Sequence, residues 1–343
     1  MSETFSLFGK DLFGEPVKPR GLQGPLSKAF TLPPFSVLDA RSGAWQERKR
    51  AWLALGIKSE VGRGASLLGL SEEASEPGLN HYRNAKKTGL LGDTEQARKY
   101  AGGYTEGASG EDMKDASGTS VFDPVLCELA YRWFAPPSGL ILDPFAGGSV
   151  RGIVASLLGR RYTGIELRAE QVEANRAQGA AICAGAVPQW IEGDSRHAAT
   201  IAPEPADFIF SCPPYGDLEC YSNDPRDLST LEYTDFVAAY CEVIASACSI
   251  LKPHRFAAFV VGEIRGKDGH YRGFVGDTIR AFESAGLSYY NEAVLLTSVG
   301  SLPIRVSRSF PAGRKLGKSH QNLLVFVKGD WKKAAEACAN GEA

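Results

Sequence analysis

The hydrophobic residues after position 119 fall into short apolar runs separated by helical patterns. A helix is predicted to begin at Asp123, an acidic N-cap followed by a proline at the first helical position. The predicted strands are GLILDPF, RRYTGIEL, PQWIEGD, ADFIFSCPPY, FAAFVVG and residues 289–296 and 323–327. The helices between them include SVRGIVASLL, RAEQVEANRAQGAAI and residues 234–251 and 274–285. Near-continuous apolar strands alternating with helices predict an α/β fold with a doubly wound, mostly parallel sheet.

The first 118 residues lack this alternation. Residues 1–60 combine a proline- and glycine-rich arm with a helix, SGAWQERKRAWLAL, that places Trp45 and Trp52 on one face. This spacing favours a small core for the tryptophans, with a nucleic-acid contact as the alternative. Residues 61–118 carry 11 glycines among polar residues. That composition predicts a flexible linker or loop.

Composition narrows the class of protein. The 38 Lys and Arg nearly balance the 40 Asp and Glu, so a uniformly basic nucleic-acid coat is excluded and any such site must be a local patch. The seven cysteines are scattered without a C-x-x-C pair, which argues against a disulfide framework or zinc ribbon and favours a reducing cytoplasm. The five histidines are too dispersed to predict a metal site. No apolar run approaches the roughly 18–20 residues that span a bilayer, so no membrane partner is expected.

A glycine turn joins the first predicted strand to the next helix. It reads DPFAGGS over residues 143–149; its glycines let a ligand approach the backbone, and the helix start presents free N–H groups. Glu166 ends the next strand, where a carboxylate can accept both hydroxyls of a ribose. Asp194 follows the third strand, where it can accept from an adenine amino group. The arrangement predicts an adenosine-cofactor site, the alternative being a tight turn with surface acids.

A proline pair follows the fourth strand of the sheet. The segment SCPPY, residues 211–215, has a stiff backbone with few N–H donors and carbonyl oxygens held at the edge that carries the glycine turn. Alone, it indicates a rigid strand exit. Its position one strand after the cofactor motifs favours a substrate site.

These motifs together resemble the DNA methyltransferases that use S-adenosylmethionine to methylate adenine N6 or cytosine N4, over residues 119–328. DPFAGGS is similar to the methionine-binding motif D-P-F-x-G-x-G/S, TSVFDPVLCELAYRWF to the helix before it, and KSHQNLLVFVKG to the final hairpin. The resemblance implies a seven-stranded Rossmann-like methyltransferase sheet, double-stranded DNA with a flipped-out base as substrate, and a phage or prophage type, as in restriction–modification. RNA is the less favoured substrate, and the oligomeric state is left open.

The resemblance also assigns roles to individual residues. The implied cofactor-binding residues are Phe122, Asp143, Pro144, Phe145, Ala146, Gly147, Gly148, Ser149, Glu166, Leu167 and Asp194. The implied catalytic residues are Ser211, Cys212, Pro213, Pro214 and Tyr215, with the base stacked on Tyr215.

Cys212 departs from the family pattern. Family members have Asp, Asn or Ser before the proline pair, and that side chain and the proline carbonyl each accept one amino hydrogen. A thiol is a poor acceptor. Three interpretations stay open: a tolerated replacement, which we favour; a nucleophile toward pyrimidine C6 that serves methylation at C5; or a weakened site in a non-catalytic DNA-binding protein. Ser211 is expected to face away from Cys212 by strand alternation.

An acid-free basic segment is the candidate DNA contact. Between residues 293 and 329 there are six Lys or Arg and no Asp or Glu, and glycine and proline spacing predicts a loop over 297–320. The predicted DNA-binding residues are Arg305, Arg308, Arg314, Lys315 and Lys318, with solvated surface as the alternative. The predicted organisation is an N-terminal arm and Trp/Arg helix module at 1–60, a linker at 61–118, the methyltransferase domain at 119–330 and a C-terminal tail at 331–343.

Overall fold

The computed structural model describes residues 25–58, 122–215, 222, 224–266, 268–300 and 302–339. Its helices are α1 (Pro25–Phe30), α2 (Gly43–Leu53), α3 (Pro124–Phe134), α4 (Val150–Leu157), α5 (Ala169–Ile182), α6 (Ala198–Ile201), α7 (Tyr233–Ser249), α8 (Phe274–Ser284), α9 (Leu302–Gly313) and α10 (Trp331–Ala339). Its strands are β1 (Val37–Asp39), β2 (Leu140–Asp143), β3 (Arg161–Glu166), β4 (Gln189–Glu192), β5 (Ala206–Ser211), β6 (Leu251–Val261), β7 (Ser288–Leu296) and β8 (His320–Lys328). The predicted linker, 61–118, lies outside the described residues.

The strands form one sheet in the order β1-β7-β8-β6-β5-β2-β3-β4. Only β8 runs antiparallel to its neighbours within this sheet. The predicted doubly wound, mostly parallel α/β fold is therefore confirmed. The predicted count of seven strands is wrong, because β1 from the N-terminal segment pairs in parallel with the edge strand β7 and makes an eighth.

The strand order reverses between β2 and β5. The chain moves outward from β2 to β3 and β4, then crosses back to place β5 on the other side of β2. The carboxyl ends of β2 and β5 thus border the crevice where doubly wound sheets bind their ligands. β7 also ends, and β8 begins, at this carboxyl edge.

Alternating side chains on the central strands build a core on each face. Phe210, Val260 and Leu323 belong to one core, beneath α3 and α4. Phe259 and Leu324 belong to the other, beneath α7 and α8. Burial on both faces explains why these strands are apolar at almost every position.

The N-terminal segment packs on α3 through a buried polar cluster. Trp45 and Trp52 are at most 1% exposed, which confirms the prediction that they form core. Their indole nitrogens donate to Asp123 at 3.1 Å and to Glu128 at 2.9 Å. Arg48 donates from Nε to the same Glu128 at 2.6 Å, so this arginine is unable to reach a nucleic acid. Burial raises the pKa of Glu128, but Arg48 and its neighbours outweigh that effect and hold it below the ordinary value.

Three predicted irregular segments contain helices. Residues 25–30 of the predicted arm form α1, and residues 331–339 of the predicted tail form α10. The predicted basic loop at 297–320 contains α9. Its prolines are compatible with a helix, because Pro303 lies in the first turn, where a helix needs no N–H donor, and Pro311 lies in the last turn. Of the helices that the structure describes, none has the length and apolar character needed to cross a bilayer.

Candidate active site

The glycine turn and the proline pair lie next to each other at the switch in strand order. Residues 144–149 leave the end of β2, and residues 212–215 leave the end of the adjacent β5. The hydroxyl of Ser211 donates to Asp143 Oδ1 at 2.5 Å and accepts from the Phe145 amide at 3.2 Å. The two loops are thus joined by direct hydrogen bonds.

Asp143 is buried beneath the turn, with both carboxylate oxygens occupied. Its Oδ2 accepts from Arg151 Nε at 2.5 Å and from the Tyr162 hydroxyl at 2.8 Å. Its Oδ1 accepts from Ser211 and Phe145. A carboxylate with four protein donors supports the turn from below.

Arg151 is a site residue that the sequence analysis missed. Its guanidinium is buried, donates to the carbonyls of Phe145 and Ala146 at 2.5 and 2.9 Å, and lies 4.6 Å from the centre of the Phe122 ring. Burial lowers its pKa, but the Asp143 carboxylate and neighbouring groups raise it to a net value above the ordinary one. The side chain is therefore a permanent cation that fixes the turn's carbonyls. An arginine in the first turn of a helix carries no sequence signal of burial.

Glu166 closes the turn from the β3 side. Its Oε2 accepts from the Gly147 amide at 2.9 Å, and its Oε1 accepts from the Arg168 amide at 3.1 Å. The side chain is 12% exposed. Burial raises the pKa of Glu166, although Arg168 and the two N–H donors act in the opposite direction.

A chain of amides holds the opposite side of the turn. Asn175 donates to the Gly147 carbonyl at 2.7 Å and accepts from Gln171 at 2.9 Å. Gln171 in turn accepts from Arg168 at 3.0 Å. These buried α5 residues read in sequence as the polar face of a helix, so their contact with the turn is a tertiary feature that periodicity does not predict.

The remaining predicted cofactor residues surround this turn. The Pro144 carbonyl accepts from the Ser195 hydroxyl at 2.5 Å, and Ser149 donates to Gln178 at 2.8 Å. Asp194 is bound by Arg196, whose Nη2 lies 2.6 Å from Oδ2. Burial raises the pKa of Asp194, but the Arg196 hydrogen bonds outweigh it and leave the pKa below its usual value. Leu167, between Glu166 and Arg168, is partly buried.

Open space above Gly147 gives the turn room for a ligand. Gly147 has φ of +49°, and a Cβ built on it would meet only the Phe145 carbonyl oxygen, at 4.0 Å. Glu166 and Asp194 stand at the carboxyl ends of β3 and β4, which are neighbours in the sheet. These groups fit an adenosine-containing cofactor: a carboxylate can accept from the ribose hydroxyls, a second carboxylate can accept from the adenine amine, and backbone N–H groups at the start of α4 can donate.

The proline-pair loop lies beside a second set of polar side chains. Pro213 is buried, while Cys212, Pro214 and Tyr215 are partly exposed. The Cys212 sulfur lies 3.8 Å from the Tyr215 hydroxyl oxygen. That hydroxyl accepts from Gln321 Nε2, on β8, at 2.8 Å. Gln321 was not predicted from the sequence, because 106 residues separate it from Tyr215.

The structure separates the predicted basic residues into two groups. Arg305, Arg308, Arg314 and Lys315 are exposed on or just after α9, and no residue of α9 is buried. Lys318 is half-buried, with Nζ 3.4 Å from the Glu263 carbonyl, and burial lowers its pKa. Lys318 therefore contacts the backbone just after β6 and, unlike the other four residues, is partly buried.

No family model matches the chain, and no curated protein matches its sequence. Among solved structures the chain is similar to TrmN from Thermus thermophilus, at 18% identity over 62% of this chain and 51% of that one, with a TM-score of 0.41. It is also similar to a TehB-like SAM-dependent methyltransferase from Corynebacterium glutamicum, at 17% identity over 69% and 100% of the two chains, with a TM-score of 0.39. A proposed DNA modification methylase from Thermus thermophilus matches at 16% identity over 40% and 51%, with a TM-score of 0.30. The chain spans about half the length of the TrmN chain.

Proposed function

We propose that the protein is an S-adenosylmethionine-dependent DNA methyltransferase that modifies an exocyclic amino group, cytosine N4 or adenine N6. The observation that carries this proposal is the hydrogen-bonded junction of the two loops at the switch point, where Ser211 joins the proline-pair strand to Asp143 beneath the glycine turn. A cofactor held by one loop and a base held by the other would then meet at a single edge. Alignment is the main requirement of such a transfer.

The residues around the turn hold and orient the cofactor. S-Adenosylmethionine, when bound, supplies an electrophilic methyl group on a sulfonium sulfur that departs as a neutral thioether. Glu166 would accept the ribose hydroxyls, Asp194 would accept from the adenine amine, and the turn at Gly147 would accommodate the methionine end. Arg151 and Asp143 keep the turn in one conformation before binding, so little ordering remains to be done.

The residues after β5 hold the base. A base inside a duplex is out of reach of this edge, so the target is flipped out, stacked on Tyr215 and held at its amino group by the Pro213 carbonyl. The nitrogen releases one proton to solvent after it gains the methyl group. The exposed cations Arg305, Arg308 and Arg314 contact DNA phosphates, from a segment that leaves and rejoins the sheet at the same edge.

The test is nucleoside mass spectrometry of DNA from cells that express the protein. Methylated cytosine N4 or adenine N6 is expected, and it should disappear in Pro214→Ala. Calorimetry should show that Glu166→Ala loses cofactor binding, whereas Pro214→Ala keeps it. Wild-type protein that binds DNA but neither binds S-adenosylmethionine nor methylates any base would overturn the proposal and favour a non-catalytic DNA-binding protein.

Cys212→Ser separates amino methylation from methylation at cytosine C5. With an amino target, serine provides a better acceptor than the thiol, so activity should be kept or raised. With a C5 target, the thiol is the nucleophile. Wild-type protein would then form a denaturant-resistant adduct with 5-fluorocytosine DNA, and Cys212→Ser would lose both the adduct and activity.

A further inference from the structure

The ends of β6 and β8 bring the side-chain amide of Gln321 close to Cys212, on the side of the proposed site where the target amino group would bind. Cys212 packs against the core that contains Val260 and Leu323. Side chains alternate along a strand, so Gly262 and Gln321, each two residues from one of these, lie on the same face of the sheet. The register Val261–Asn322 sets these two residues opposite each other.

Gly262 places no side chain on the sheet at the position opposite Gln321. A Cβ on Gly262 would meet only Lys318, with Nζ at 3.2 Å. The Lys318 ammonium lies over this glycine and contacts the Glu263 carbonyl at 3.4 Å. The absence of a side chain at Gly262 therefore lets the Lys318 ammonium approach the backbone there, on the β6 strand end opposite Gln321.

Gln321 is oriented by Tyr215. Its Nε2 donates to the Tyr215 hydroxyl at 2.8 Å, and that oxygen lies 3.8 Å from the Cys212 sulfur. With Nε2 directed at the phenol, the amide presents Oε1 as its acceptor. An amino group bound beside Cys212 needs two acceptors, and the Pro213 carbonyl provides only one.

We propose that Gln321 supplies the acceptor oxygen that Cys212 lacks, binding one hydrogen of the target amino group from β8. This inference rests on the proposed function. It makes Gln321 a substrate-contacting residue and explains how a cysteine is tolerated before the proline pair: the oxygen that Asp, Asn or Ser would provide at position 212 comes from the neighbouring strand.

The experiment compares steady-state DNA methylation by purified full-length variants. Gln321→Met removes the amide and should lower kcat/KM by about tenfold, the loss expected for one hydrogen bond. Gln321→Glu keeps an acceptor oxygen and should stay within about threefold of wild type. Asn322→Met is the matched control, since it removes the next amide along β8, which bonds Glu292 at 2.5 Å; its activity should be unchanged.

The deciding measurement is rescue. Adding Cys212→Asn to Gln321→Met returns an acceptor to position 212 and should restore most of the lost activity. If Gln321 only positions Tyr215, Tyr215→Phe would match Gln321→Met and Cys212→Asn would give no rescue, which overturns the proposal. A fully active Gln321→Met also overturns it. Unchanged thermal midpoints and cofactor affinity exclude misfolding, while a wild type that methylates nothing removes the proposed function itself.

Discussion

Asp143→Asn tests whether a charged carboxylate supports the glycine turn. Asp143 Oδ1 accepts from Ser211 and the Phe145 amide, and Oδ2 accepts from Arg151 and Tyr162. Asparagine replaces one carboxylate oxygen by an NH2 group. Whichever way the amide is turned, the two donors that bonded the lost oxygen then face an N–H donor. The hydroxyl groups can rotate to accept, whereas Arg151 and the Phe145 amide lack an acceptor atom. In either orientation the variant leaves the buried Arg151 guanidinium without its counter-ion, whereas the Phe145 amide keeps its hydrogen bond to the Ser211 hydroxyl.

The expected cost follows from the burial of the pair. Asp143 is 0% exposed and Arg151 5% exposed. Removing one partner of a buried ion pair costs about 3–5 kcal/mol, a large share of a total stability of about 5–15 kcal/mol. Asp39→Asn is the control, because Asp39 pairs with Arg41 at the surface and solvent screening limits its effect to less than about 1 kcal/mol. Urea unfolding followed by circular dichroism measures both variants.

Arg151→Met in the Asp143→Asn background sharpens this prediction. Replacing both members of a buried pair is often neutral, so the double variant should regain most of the lost stability. Its cofactor affinity should be lower than that of wild type, because Arg151 also donates to the Phe145 and Ala146 carbonyls of the turn. If the two single-variant costs simply add, the reasoning about an uncompensated charge is refuted.

Three further results are expected. Burial raises the pKa of Glu166, and ribose hydroxyls favour its ionised form, so calorimetric cofactor affinity should rise with pH through that pKa and be flat in Glu166→Gln. Gly164→Ala places a Cβ 2.8 Å from the Cβ of Ala146, so it should lower the free energy of unfolding by about 1–3 kcal/mol and weaken cofactor binding. Gly43→Ala is the control: its Cβ would meet no atom within 4 Å, so neither quantity should change. Glu128, whose pKa is lowered from 4.5, stabilises the fold above pH 4.5 and loses this effect as pH falls through the lowered pKa; Glu128→Gln should therefore lower the thermal midpoint at pH 7 and converge with wild type in acid. A pH-independent difference would contradict that assignment.

Local patterning was enough to predict the central sheet and the turn. β2, β5 and the second half of β6 are buried on both faces, so their apolar runs are unambiguous, and α3 carries a complete start signal in Asp123 and the proline after it. The turn at Gly147 needs a positive φ, which glycine supplies. Each of these features depends on residues close in sequence.

The missed features depend on distant partners or weak patterns. β1 has three residues and owes its place to pairing with β7, far along the chain. α9 buries no residue, and its glycine and proline spacing predicted a loop although Leu302, Val306 and Phe310 recur at helical spacing. Arg48 reads as part of a basic surface run, yet it is buried against Glu128, 80 residues away. Charge and periodicity alone do not reveal such pairing.

The end of β5 links both halves of the proposed site through one peptide unit. Ser211 faces Asp143 and the cofactor turn, while Cys212 lies beside Tyr215 on the base side. Consecutive Cα atoms are about 3.8 Å apart, so the backbone itself fixes the spacing between the support of one ligand and the contact of the other. In the proposed methyl transfer, which tolerates little misplacement, a rigid proline pair immediately after Cys212 would serve alignment more than acid–base chemistry. Under the proposed function, the strand end sets the geometry and Gln321 on β8 supplies the acceptor, so that a thiol is tolerated at position 212.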